Sequence, residues 1–171
     1  MSWIQTASGR QFWPLRPSAE DVDLEDIAHA LAMKCRYSGH TQQFYSVAEH
    51  SVYVSRYCSQ AVALWGLLHD ASEAYLPDVS RPIKPHLTGF ADIEAGVMRA
   101  MCHKFGLPHA EPAEVKAIDT RILLNEKAVL MPHTPADWGI EAEPLPGLRI
   151  ECWTPTEAKT QFLRRFKELV G

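Results

Sequence analysis

This sequence predicts an all-α domain with a short β-hairpin at its front. Apolar residues recur at helical spacing in successive segments. Those segments carry start and stop signals, Ser46 and Thr154 at two beginnings and Gly106 and Gly171 at two ends. Proline and glycine collect in the connections between them. The 171 residues suit one domain spanning 1–171.

In order along the chain, WIQTASGRQFW places a Ser-Gly turn between two short aromatic and β-branched segments, which predicts the hairpin. Residues 20–37 follow, with Leu24, Ile27, Ala28, Leu31, Ala32 and Cys35 on one face and acids in the first turn, where they suit the positive end of the helix dipole. The polar loop SGHTQQFY ends that helix. In SVAEHSVYVSRYC, Ser46 and Glu49 have capping-box spacing and His50 lies in the early turns. A third helix is expected over 61–75, then an extended connection stiffened by Pro77, Pro82 and Pro85. Helices over 91–105 and 111–131 come next, the second with a buried stripe of Val115, Ile118, Ile122 and Val129. A surface loop is expected over 132–148. A last helix opens with Thr154 as N-cap and Pro155 at the first helical position.

With 46% hydrophobic and 22% charged residues, the composition is that of a soluble globular protein. A net charge of -4 argues against nucleic-acid or membrane partners recruited by bulk charge. No apolar run approaches a membrane span, and the N-terminus lacks the apolar core of a signal peptide. The four cysteines have no metal or disulfide spacing and read as reduced thiols, so a cytoplasmic location is expected.

The chemistry concentrates in GLLHDASEAYLPD, residues 66–78. On a continuous helix His69 and Glu73 would face the same way one turn apart, with Asp70 beside Glu73. Such a helix presents an imidazole, a ligating carboxylate and a second carboxylate for a water. These donors suit Zn, Mn, Co or a similar divalent ion. Further ligands must come from other helices. His50 is one candidate. Asp119 is the other, because it borders the buried stripe of its helix, where a carboxylate needs a cation or hydrogen-bond partner.

The order VAEHS, LLHDASE and AIDTRILLNE resembles the H…HD…D signature of the HD-domain metal-dependent phosphohydrolases. HDASEAYLPDVSRPIK is more closely similar to their small branch of bacterial 5'-deoxynucleotidases and deoxynucleoside triphosphate triphosphohydrolases. The resemblance covers residues 30–131. It implies a helical bundle around one divalent metal ion held by His50, His69, Asp70 and Asp119. Glu73 would orient or deprotonate the nucleophilic water, and Asp78 would contact the sugar or support that water. Arg36 and Lys84 would grip phosphate, with Tyr37 bordering the nucleoside. The chain departs from the family's pattern in a short link between His50 and His69 and in an Arg-Tyr pair where Arg-Trp is usual.

The expected function is therefore cleavage of the 5'-phosphate ester of a small-molecule deoxynucleotide. A monophosphate would give nucleoside and phosphate; a triphosphate would give nucleoside and triphosphate. The alternatives are a signalling hydrolase for a cyclic nucleotide or guanosine polyphosphate, and a catalytically silent HD-fold binding module. The resemblance also implies a homo-oligomer.

Overall fold

The computed structural model describes residues 2–134 and 136–171. Among the described residues are six α-helices and one two-stranded antiparallel hairpin, as the sequence predicts, with three 3-10 turns between helices. Strands β1 (Ile4–Gln5) and β2 (Gln11–Phe12) pair with Ile4 opposite Phe12. The turn between them is made possible by Gly9 at φ +84°, a conformation only glycine adopts cheaply. The hairpin is bound to the bundle by both packing and hydrogen bonds. Phe12 is fully buried and stacks on Tyr75 with ring centroids 3.7 Å apart. The Ser8 N–H and hydroxyl both donate to Asp26 at 2.7 Å.

Helix α1 (Leu24–Met33) starts where Asp23 accepts from the Glu25 and Asp26 amides, satisfying two of the N–H groups that a helix end leaves free. It buries Ile27, Ala28, Leu31 and Ala32. The loop after it is closed like a clasp: the Arg36 N–H donates to Tyr45 O at 2.9 Å and the Val47 N–H to Lys34 O at 3.1 Å. The Gln42 N–H reaches Leu130 O at 2.8 Å, fastening this loop to the far end of a later helix.

Helix α2 (Val47–Tyr57) runs through the middle, buried from Val47 to Ser55. It touches α1, α3 (Ala63–Leu68), α5 (Ala113–Leu130) and α6 (Pro155–Val170). A helix buried on all sides must satisfy its own polar side chains, and Glu49 shows how. Ser46 caps the Glu49 amide as expected, at 3.0 Å, but Glu49 does not close the capping box. Its carboxylate instead accepts from the amides of Glu151, Cys152 and Trp153 at 2.7 to 3.2 Å and from the Tyr53 hydroxyl. Burial nevertheless outweighs these bonds and raises the Glu49 pKa. Cys152 is held there at φ +57°.

Helix α3 is shorter than the sequence suggests. It ends at Leu68, and a separate 3-10 turn covers Ala71–Ala74. Gly66 lets it lie close on α2, since a Cβ there would fall 2.9 Å from Cys58 Sγ and 3.3 Å from Ser55 Cα. Helix α4 (Phe90–Phe105) stops at Gly106, which takes φ +66°. In α5 the buried stripe is Val115, Ile118, Ile122, Leu123, Glu126 and Leu130; the predicted stripe member Val129 is 49% exposed. The loop that follows is pinned by Asn125, which exchanges hydrogen bonds with Leu145 in both directions. Helix α6 has the full Thr154–Glu157 capping box and buries Ala158 and Phe162. Among the described residues all four cysteines are free, and no helix is long and apolar enough to cross a membrane.

Two outcomes follow from this frame. Glu49→Gln turns one acceptor into a donor facing donors, and is expected to lower stability by about 2–4 kcal/mol in urea titrations. Asp26 has its pKa lowered: burial opposes this, but the bonds from Ser8 prevail. A depressed folded pKa means its contribution is complete above the unfolded value and lost as pH falls through the folded one. The stability gap between wild type and Asp26→Asn, about 1–2 kcal/mol at pH 7, is therefore expected to close as pH falls below the ordinary carboxylate range.

Candidate metal centre

Three helices and one turn bring the signature together. His50 lies one turn into α2, without solvent exposure. His69 caps the C-terminus of α3, and Asp70 opens the 3-10 turn behind it. Asp119 comes from the second turn of α5. The ligand atoms of His50, His69 and Asp119 all lie within 4.8 Å of one another, so this cluster could hold a metal ion. The two Nε2 atoms are 3.2 Å apart, and Asp119 Oδ1 is 3.2 Å from His50 Nε2 and 3.8 Å from His69 Nε2. Asp70 Oδ2 approaches the same nitrogens, at 3.3 Å from His69 and 3.8 Å from His50. Donors about 2.0–2.2 Å from a common ion stand roughly 3–3.5 Å apart, so this spacing fits one cation.

The hydrogen bonds of the opposite ring atoms support that fit. His69 Nδ1 pairs with Gly66 O at 2.8 Å, and His50 Nδ1 pairs with Glu126 Oε1 at 2.6 Å. A carbonyl and a carboxylate accept, so each Nδ1 carries the proton and each Nε2 is free to ligate. Two such lone pairs aimed at each other need a positive charge between them. The two carboxylates favour a positive charge at this position. Burial opposes it, but Asp70 and Asp119 raise the His69 pKa well above its ordinary value. The same imidazoles hold Asp70 and Asp119 well below the usual carboxylate range despite burial.

Glu126 is the residue that the sequence reading missed. It has no solvent exposure, and its carboxylate accepts from His50, from the Tyr45 hydroxyl at 2.9 Å and from the Tyr37 hydroxyl. Arg36 NH2 adds an ion pair at 3.5 Å. A signal existed: Glu126 is seven residues after Asp119, on the same helical face, and four after Ile122 in the buried stripe. A carboxylate at a core position of a helix asks for partners.

The remaining expected residues divide. Arg36 is brought in, with NH1 3.4 Å from Asp70 Oδ2, and is 13% exposed. Its Nε is buried without a partner. Tyr37 is also brought in, at φ +56°, followed by Ser38 at φ +53°. Two successive non-glycine residues in the left-handed region cost about 1–3 kcal/mol each, held here by the bonds to Glu126. Glu73 lies next to Asp70 in the 3-10 turn, its Oε2 buried without a partner. Burial first, then the charges of Asp70 and Asp78, push its carboxyl up to about 8. Lys34 steadies that turn by donating to the carbonyls of Glu73 and Leu76. Asp78 is exposed on the following segment. Lys84 is turned to Glu94, with Nζ–Oε1 at 2.8 Å. A different cation, Arg81, stands 3.9 Å from Asp119 Oδ2.

The chain is 34% identical over 173 residues to the uncharacterized protein YfdR of Escherichia coli, covering 99% of this chain and 96% of that one. The chain belongs to the YfdR family. An uncharacterized protein of Rhodobacter capsulatus is 33% identical over 188 residues, covering 99% of this chain and 96% of its own length. Both of these relatives match along nearly their whole length. No family model matches the chain.

Glu126 holds the His50 ring through Nδ1 and leaves Nε2 toward the cluster that could take a cation. Glu126→Gln is expected to weaken binding of Mn²⁺ or Co²⁺ by about 10–100-fold in calorimetric titration, with the fold retained by circular dichroism.

Proposed function

We propose that this protein is a metal-dependent phosphohydrolase of the HD type that cleaves the 5'-phosphate ester of deoxynucleotides. The observation that carries the reading is a pair of orphaned atoms beside the ligand cluster. Arg36 Nε and Glu73 Oε2 are both buried without partners among the described residues, a donor and an acceptor on residues that flank Asp70. Buried polar atoms are seldom left unpaired in a native protein. A phosphate beside Arg36 and a water beside Glu73 would complete both.

A divalent ion held by His50, His69, Asp70 and Asp119 would lower the pKa of a water and polarise a phosphoryl oxygen. The protein's own groups supply the rest. Arg36, neutralised only in part by Asp70 and Glu126, donates to the phosphoryl oxygens as charge builds there. Glu73, with its carboxyl pushed up to about 8, would accept the water's proton in its ionised form, whose share grows as pH rises toward that value. Tyr37 fixes Glu126, which fixes the His50 ring, so the ligand set does not reorganise during the reaction. We place the protein in the cytoplasm, a reading supported by its four free thiols.

Product analysis on Mn²⁺- or Co²⁺-loaded protein with dNMPs, NMPs and dNTPs tests the proposal. Orthophosphate or intact tripolyphosphate is expected, lost with EDTA and in Asp70→Ala. Glu73→Gln is expected to bind metal normally yet lose about 10²–10⁴-fold in kcat. Metal-dependent turnover of a cyclic nucleotide or guanosine polyphosphate alone would replace the substrate class. No turnover of any of these by the loaded protein would refute the hydrolase reading.

A further inference from the structure

Arg81 is held at a turn beside the ligand cluster. The amides of Ile83 and Lys84 both donate to Ser80 O, at 2.9 and 3.2 Å, which puts Arg81 and Pro82 at the bend. The guanidinium NH2 stands 3.9 Å from Asp119 Oδ2, and the side chain is 71% exposed. Oδ1 of the same carboxylate faces His50 and His69. Arg81 therefore occupies the outer edge of a group whose inner oxygen faces the cation position. At that distance and exposure the ion pair is worth little and is readily given up to a stronger anion.

The other nearby cations are already engaged. Arg36 lies on the opposite edge, against Asp70, and shares its charge with Glu126. Lys84 is bonded to Glu94 and stands over the Phe90 ring at 5.9 Å. Arg121, two residues beyond Asp119, donates to the carbonyls of Glu143 and Pro144. A divalent cation would be balanced by the charges of Asp70 and Asp119. Any negative charge beyond the first phosphate then meets Arg81 as the cation at the exposed side.

Building on the phosphohydrolase reading, we propose that Arg81 binds the phosphates beyond the scissile ester, so that the site selects deoxynucleoside polyphosphates over monophosphates. The guanidinium offers paired donors for phosphate oxygens, and its exposed position suits a chain of phosphates leaving the buried centre toward solvent.

Calorimetric binding of dAMP and dATP to Glu73→Gln protein, with Mn²⁺ in excess over nucleotide, tests this without turnover. Adding Arg81→Gln is expected to weaken dATP by roughly tenfold or more and dAMP by less than about twofold, with Arg81→Lys recovering part of the loss. Mn²⁺ content should be unchanged, since Arg81 is not a ligand. Equal weakening of both nucleotides would assign Arg81 to the phosphate at the metal and overturn the selectivity. No weakening of either would leave Arg81 as a surface neighbour of Asp119 and overturn it as well. If the Arg81-intact protein binds neither nucleotide, the nucleotide reading itself fails, a result distinct from both.

Discussion

Glu126 has no solvent exposure, and a bare carboxylate in that position would cost several kcal/mol. It is tolerated because His50, Tyr45, Tyr37 and Arg36 all meet it. Burial alone would raise its pKa; the Arg36 charge and the hydrogen bonds from His50 and Tyr37 prevail and hold it low. From its place on α5 it gathers residues of α2 and of the clasp after α1. One charge thereby fixes the rotamer of a ligand, the strained loop at Tyr37 and the cation beside Asp70.

The central helix makes this arrangement possible. Because α2 touches α1, α3, α5 and α6, its polar residues can reach each of those four helices. Its N-terminal half works in two directions. His50 faces the ligand cluster, while Glu49, its neighbour, turns away and gathers the amides leading into α6. Adjacent helical residues point about 100° apart, so one turn serves both the site and the docking of the last helix. Gly66 adds a geometric condition: the close approach of α3 to α2 brings the two imidazoles to 3.2 Å.

The break after Leu68 changes how the site is put together. A continuous helix would have carried His69, Asp70 and Glu73 on one rigid face. Instead His69 ends α3 with its Nδ1 tied to Gly66 O, and Asp70 begins a tighter turn that tilts Glu73 inward beneath Lys34. The free carbonyls at the end of that turn are satisfied by the Lys34 ammonium, which also moderates the like charges of Glu73, Asp70 and Asp78. Two carboxylates, Asp70 and Glu73, can sit side by side in this way with a cation to offset their repulsion.

The sequence by itself determined the helical class, the hairpin, the termini of α4 and α6, and the four residues that converge. Those depend on local periodicity, capping chemistry and the desolvation cost of polar residues at apolar positions, all of which act over a few residues. It did not determine the break in α3, the diversion of Glu49 from its capping box, or the partners of Glu126 and Lys84. Tertiary structure decided these because each is a competition between a local partner and a distant one. Glu49 could have bonded its own helix end but met three amides more than a hundred residues away. Glu126 had only its place in the buried stripe of α5 to mark it. Which groups would fill the space around it was settled by how α2 and the clasp pack against that helix.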